Sequence, residues 1–390
     1  MSVGRLREWN ARQPAPLAYA LAHAVQIAHG SGHALVGPEH LLVALGFVWA
    51  PLRERLGQSW PGLVAAAEAT PPAPEPPAPE ESSGGSVCAA AALREAFLHA
   101  GPEVVAAHGG VVGQYRADVR RAVRAAWCAS ALAGVERANA VHLVRAVLAA
   151  PPDRVVDLLS RAGTTPARLL RETPVEAACR VEAYPVDWAA TFLDRRGRLH
   201  PQWYSRRRRL WTRLSDLPRD LRGGRWPGIS DVSRALAAGG HFQSRRLGHA
   251  WLGCAHTVVA LLALDDYLAA TGRHIPPAPP GDLNEGARVL AAHGVTYANA
   301  FESAAALPVD HREYRLGPRQ LPGTAILAEA AEAAEAMRQL AARRRHPYIG
   351  TTALLMAGLR VPGSTAAALL HAMDVDPRAV LAEAARRLPG

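Results

Sequence analysis

A gapless motif that returns four times limits this chain most, because a recurring unit imposes a recurring local fold. The first copy is Gly32-His-Ala-Leu-Val-Gly-Pro-Glu-His-Leu-Leu42, and the second is Gly134-Val-Glu-Arg-Ala-Asn-Ala-Val-His-Leu-Val144. The third is Gly248-His-Ala-Trp-Leu-Gly-Cys-Ala-His-Thr-Val258, and the fourth is Arg345-His-Pro-Tyr-Ile-Gly-Thr-Thr-Ala-Leu-Leu355. In the first three, a histidine falls eight residues after the opening glycine (His40, His142, His256); the fourth has Ala353 there. Each copy follows an alanine-rich stretch and opens one rich in leucine or valine. The motif therefore reads as the joint between two helices.

A second signature trails each copy. Leu56-Gly57, Ala162-Gly163, His293-Gly294 and Met373-Asp374 close a small-residue helix and lead into another. Each unit is thus expected to run helix, turn, helix, loop, helix, helix. Apolar residues recur at helical spacing elsewhere too: Leu17, Leu21, Ala24 and Ala28; Val119, Ala122, Ala126 and Leu132; Ile326, Leu327, Ala330, Ala334 and Met337. Strand signals are weak except near residues 194–199, where Arg-Arg-Gly-Arg suits a hairpin turn. The expected fold class is all-α.

Two segments read as connectors. Residues 71–86 are a proline-rich spacer that cannot pack a core. Residues 181–229 hold four of the nine tryptophans and an arginine-rich stretch, and a shorter proline-rich loop spans residues 275–281. At 390 residues the chain exceeds one ordinary domain. Its 49% apolar and 20% charged residues exclude wholesale disorder. No uninterrupted apolar run reaches membrane-spanning length, and the first thirty residues mix His, Gln and Asn into their apolar stretch, unlike a secretory signal. Cys88, Cys128, Cys179 and Cys254 lack metal-type or redox-type spacing and read as buried thiols in a reducing compartment. A soluble, cytoplasmic protein is expected.

Taken together, the motif and its trailing signature resemble the Clp N-terminal repeat that heads ClpA- and ClpC-type unfoldases. That family reads roughly Gly-His-x-x-Ile-Gly-Thr-Glu-His-Leu-Leu, followed downstream by a Leu-Leu-x-x-x-Gly-Val-Asp element, with two repeats per domain in pseudo-twofold relation. The resemblance covers about three quarters of the chain and implies two Clp-N-like domains, at 10–180 and 230–390, joined by the 181–229 connector. It is strong in repeats one and four, fair in three and weak in two. It also implies a binding role toward a ClpC-type unfoldase, its substrates or its adaptors. In the ClpC branch the ligands include phosphoarginine, whose guanidinium meets the motif glutamate, and antibiotic cyclic peptides. Here only the first repeat keeps that carboxylate, as Glu39 beside His40; Val141, Ala255 and Thr352 stand at the other three places. The cyclic-peptide pocket of the family maps onto Asn10, Gln13 and Pro14, with Trp9 one residue out of register.

Glu39 has two readings, a ligand acceptor or an acid in a helix's first turn, where the helix dipole favours it. The motif histidines recur once per repeat, which suits a structural part holding helix starts better than a metal ligand. His33, His249 and His346 read as parts of the turn. The chain contains no lysine, so it has no Gly-x-x-x-x-Gly-Lys-[Ser/Thr] phosphate loop and no nucleotide-driven motor of that type. No Gly-x-Ser-x-Gly, His-Glu-x-x-His or Cys-x-x-Cys occurs. No catalytic residue, metal or cofactor is expected, and the chain reads as a non-enzyme.

Net charge is +10, yet eleven arginines between residues 195 and 225 face only Asp216 and Asp220, a local balance of +9. Within this stretch Arg206, Arg207, Arg208 and Arg209 lie between Trp203 and Trp211, charge beside stacking faces, as in single-strand nucleic-acid binders. A solvated linker whose tryptophans pack on the helical domains fits the same residues, and so does a clamp for an acidic protein. The leading expectation is a noncatalytic adaptor, competitor or decoy in the Clp system. The alternatives are a regulator binding nucleic acid through residues 195–225 and a small-molecule or antibiotic-binding resistance protein of a biosynthetic pathway.

Overall fold

Leucine-dense segments with almost no charge are stable only when surrounded, and in the computed structural model the segments after each motif form central helices. The structure describes residues 17–69, 87–100, 115–135, 137–172, 175, 179, 187–196, 198–201, 231–275, 284–307, 313–314, 325–343 and 349–388. α1 (Leu17–Gly30) leads into α2 (Pro38–Val48), where Leu41, Leu42, Val43, Ala44 and Leu45 are all buried. A helix apolar on every side belongs inside a core.

The described residues divide into two units, Met1–Pro185 and Val186–Gly390. In unit 1, α1 and α2 are followed by α3 (Ala50–Leu56), α4 (Trp60–Ala69), α5 (Val87–Ala100), α6 (Ala117–Leu132), α7 (Ala140–Ala149), α8 (Asp153–Arg161) and α9 (Pro166–Glu172). Unit 2 runs α10 (Trp188–Arg195), α11 (Asp231–Leu247), α12 (Cys254–Thr271), α13 (Gly286–Ala292), α14 (Tyr297–Ala305), α15 (Ala328–Arg343), α16 (Thr351–Arg360), α17 (Thr365–Ala372) and α18 (Pro377–Arg387). The class is all-α, and α2, α7, α12 and α16 each begin within their motif copy. The four-helix order expected of each repeat recurs as α1–α4, α6–α9, α11–α14 and α15–α18.

α5 and α10 stand outside that order. α5 packs along α1 and α10 along α11. Ala20, Ala24 and Ala28 of α1 and Ala89, Ala92 and Ala96 of α5 are buried stripes at helical spacing, and small side chains let two backbones approach closely. Asp187 caps the start of α10: its Oδ2 accepts the Ala190 N–H at 2.7 Å, and Trp188 stacks on Phe242 of α11.

Strands are minimal: β1 (His200–Pro201), β2 (Trp251–Leu252), β3 (Arg273–His274), β4 (Glu313–Tyr314) and β5 (Ala325–Leu327). β2 runs parallel to β5 with Leu252 opposite Ile326, β4 pairs antiparallel with β5, and β1 pairs antiparallel with β3. In unit 1 the counterpart of the β2–β5 contact is a single parallel bridge, Val36 to Tyr115.

Three expectations change. Among the described residues of 194–199 no strand forms; α10 runs through Arg195, the Arg198 N–H closes it onto the Leu193 carbonyl, and β1 finds its partner in β3. Residues 187–201, part of the expected connector, form α10 and β1 and belong to unit 2. Cys128 is exposed and Cys88 half-buried rather than buried, and Leu132 is 91% exposed. The buried stripe of α6 is Val119, Ala122, Val123, Ala126 and Ser130, so 128 and 132 fall off its face. Among the described residues, α12 is long and apolar enough by length and composition to cross a membrane. Its apolar sequence is interrupted by His256, Thr257, Asp265 and Asp266, so it holds no uninterrupted run of that length, and in unit 2 it packs against α11, α14 and α17.

Candidate functional site

Both signatures resolve into helix-terminus chemistry. The opening glycines Gly32, Gly134 and Gly248 take positive φ (71°, 70° and 76°), a left-handed turn that admits glycine without steric cost. The next N–H then reaches back to end the preceding helix: His33 to the Ala28 carbonyl, Val135 to Ser130 and His249 to Ser244, at 2.8–2.9 Å. In three of its four copies the trailing signature is the same device, with Gly163 and Gly294 at φ 72° and 75° and the non-glycine Asp374 at 58°; Gly57 departs from it, with φ 51° and ψ −127°.

The motif histidine then starts the next helix. Nδ1 of His40 accepts the Gly37 N–H at 2.9 Å, Nδ1 of His256 accepts that of Gly253 at 3.0 Å, and Nδ1 of His142 lies 3.1 Å from the Asn139 nitrogen. This is a capping box with imidazole in place of the usual Glu or Gln. With Nδ1 accepting, Nε2 carries the proton: His40 donates to His33 Nδ1 at 2.7 Å, and His256 donates to His249 Nδ1 at 2.9 Å. Burial pushes His40 and His256 down to about 3, and His142 down as well, so these rings stay neutral. The fourth repeat lacks the histidine and uses another tie. Thr351 and Thr352 accept the N–H groups of Gly286 and Glu285 through their hydroxyls, at 3.1 and 3.0 Å.

Glu39 is placed differently from an ordinary first-turn acid. It is 1% exposed, no other residue gives either carboxylate oxygen a hydrogen bond, and the carboxylate turns back toward its own backbone N–H. The carboxylate folds back over Gly37, where a Cβ would overlap it. Gly37 has extended backbone, so glycine is needed there for room rather than for handedness. Arg154 Nη1 from the start of α8 comes within 3.9 Å of Oε1, too far for a hydrogen bond. Burial raises the carboxyl's pKa, while its own backbone N–H first and then Arg154 and Arg116 pull it down.

His40 sits beside Glu39 but is wholly buried and committed at both ring nitrogens, so it positions the helix start rather than facing a ligand. Arg154 and, in unit 2, Glu329 belong to these sites without any sequence motif marking them. Trp203, Arg206, Arg207, Arg208, Arg209 and Trp211 lie outside the described residues, as do Trp9, Asn10, Gln13, Pro14 and His346. Among the described residues no group of three His, Cys, Asp or Glu side chains is placed to hold a metal ion.

The sequence matches no protein-family profile and no curated protein. Among solved structures it is similar to the N-terminal domain of the caseinolytic protease associated chaperone ClpD from Arabidopsis thaliana, at 15% identity and a TM-score of 0.32. That similarity covers 43% of this chain and 99% of the other.

Proposed function

We propose that this chain is a noncatalytic binding protein whose recognition point is the start of α2, with Glu39 as the acceptor for a donor-rich group. The observation that carries the reading is the Glu39 carboxylate, buried with no hydrogen bond from any other residue. A buried anion left unsatisfied costs several kcal/mol, and a ligand that supplies the missing donors removes that cost. A guanidinium fits best, since its planar fork offers parallel N–H groups to both oxygens. Arg154 gives charge compensation without hydrogen bonds at 3.9 Å, so an incoming guanidinium has only a weak internal competitor.

The motif's resemblance to the Clp repeat supplies the setting. The protein serves a bacterial Clp proteolytic system in the cytoplasm, as adaptor, competitor or decoy for a ClpC-type unfoldase. Phosphoarginine and Clp-directed cyclic peptides are its first candidate ligands. A lysine-free chain has no phosphate loop of the Walker type, which suits recognition without a motor. The test is a thermal-shift screen of the purified chain against phosphoarginine and the cyclic peptides, alongside copurification with a ClpC-type unfoldase. A shift with either ligand, or a retained unfoldase, supports the reading; the absence of both overturns it.

A further inference from the structure

α10 stands outside the repeat order, and the contacts along its length set its direction. Asp187 lies within electrostatic reach of Arg246, Trp188 stacks on Phe242 at 5.4 Å, and a Cβ at Gly239 would stand 3.3 Å from that of Ala189. At the far end Arg198 and Arg196 pair with Asp231 at 2.7 and 3.5 Å, and Asp194 pairs with Arg273 at 2.5 Å. The helix therefore runs antiparallel along α11, over the face that carries Gly239, Phe242 and Arg246 at helical spacing.

The two ends differ in how their charges are met. Asp231 and Asp194 each have an arginine, whereas Asp187 is 1% exposed and, among the described residues, no ion pair reaches it. Its Oδ2 accepts the Ala190 N–H at 2.7 Å, and the N–H groups of Ala189 and Trp188 also turn toward the carboxyl. Oδ1 is buried with no hydrogen bond from a side chain. Arg246 is engaged elsewhere: Nη1 donates to the Tyr297 hydroxyl and to Gln243 Oε1 at 3.2 Å, and the guanidinium lies 4.9 Å from the Phe301 ring centre. Gln243 is itself 1% exposed, and its Nε2 has no acceptor. The neighbours of Arg246 on α10 and α11 thus each keep an unmet polar atom.

The other charged groups on the packed elements face away from Asp187. His241 faces Arg245 and His256, Asp265 of α12 faces Arg288, Asp266 and Glu285, and Arg234 and Glu302 are exposed. An ionised carboxylate without a counter-ion is costly in such a seat, and taking up a proton removes the charge.

We propose that α10 is a proton-latched strap: a protonated Asp187 holds its start against α11, and ionisation loosens it over the Gly239–Phe242 face. The device belongs to unit 2 and does not rest on the function proposed for Glu39. Opening returns the carboxyl to water and its ordinary 3.8, against about 7 in the closed strap, where burial is the main cause. The closed form holds the proton more tightly, so closure is strongest below about pH 4, weakens as pH rises toward 7 and levels off above it. Between pH 6 and pH 8 the closed-to-open ratio falls about tenfold.

The test is amide hydrogen exchange of the full chain, read at residues 190–193 and corrected for the intrinsic pH dependence of exchange. In the wild type, protection of α10 falls about tenfold from pH 6 to pH 8 while that of α12 holds constant. In D187N, uncharged at every pH and an equally good cap, the α10 profile is flat. D187S supplies a second uncharged cap where the amide fits poorly. Carbon-13 titration of the Asp187 carboxyl gives a midpoint near 7. Wild-type protection that ignores pH, an equal fall in a folded uncharged variant, or a carboxyl midpoint below about 5 overturns the latch.

Discussion

A neutral imidazole does the work of a capping glutamate in three of the four repeats, and its neutrality is testable residue by residue. Folded His40 and His256 sit near pKa 3 against an ordinary 6.5, with burial as the main cause and His33 or His249 next. The unfolded chain binds these protons first. Each ring's contribution is therefore complete above about pH 6.5 and is lost at about 1.4 kcal/mol per pH unit as pH falls toward 3. The ring resonances of both histidines are expected to stay at neutral values from pH 8 to pH 5; a midpoint between 6 and 7 for either contradicts the cap. Asp187 has the opposite sign. Burial raises its carboxyl from 3.8 to about 7, against the pull of the Ala190 N–H and Arg246, so the folded state holds the proton longer. Its cost is absent below about pH 4 and grows as pH rises toward 7. Asn caps a helix as well as Asp does, so D187N is expected to melt above the wild type at pH 8, with the gap closing toward pH 4. Equal melting temperatures at pH 8 would show that the carboxyl is not paying this penalty.

At the scale of helices and turns, the spacing in the sequence already placed three of the four central helix starts through glycine at the turn and histidine eight residues on, which are local chemistry, and the fourth, with Arg345 and Ala353 at those places, through the rest of the motif. The trailing signature makes a sharper point. Gly163, Gly294 and Asp374 adopt the same left-handed turn, and only Asp374 bears a side chain there. D374G is expected to stabilise unit 2 by up to about 1 kcal/mol, read by denaturant unfolding. Asn139 caps α7 by accepting the N–H groups of Val141 and His142 at 2.9 and 3.1 Å, so N139A is expected to cost about 1 kcal/mol. The misread positions have an equally local cause. Leu132 and Cys128 look apolar in the sequence, but the buried face of α6 passes through Val123 and Ser130, and Ser130 is held by its own bond to the Trp127 carbonyl. Glu329 was illegible for a different reason. Its hold on the Cys254 N–H depends on a short parallel strand pair between segments more than seventy residues apart, and helical periodicity carries no record of that pairing.

For the whole molecule, the repeated order of helices was legible and the difference between its two halves was not. In unit 1 the Glu39 carboxylate has no donor from another residue, whereas in unit 2 the Glu329 carboxylate accepts the N–H groups of Cys254 and Thr365. Whether a buried acid is a spare anion or a helix-cap ornament depends on what surrounds it in space, and the motif alone left both readings open. The burial of Glu39, the missing donors and the 3.9 Å gap to Arg154 favour the acceptor. Calorimetric titration of phosphoarginine into the full chain, wild type against E39Q, puts that choice to the test. The prediction is saturable binding of one ligand per chain, weakened at least roughly tenfold in E39Q while its melting temperature does not fall. Binding of equal strength in both proteins, or none in the wild type, contradicts it.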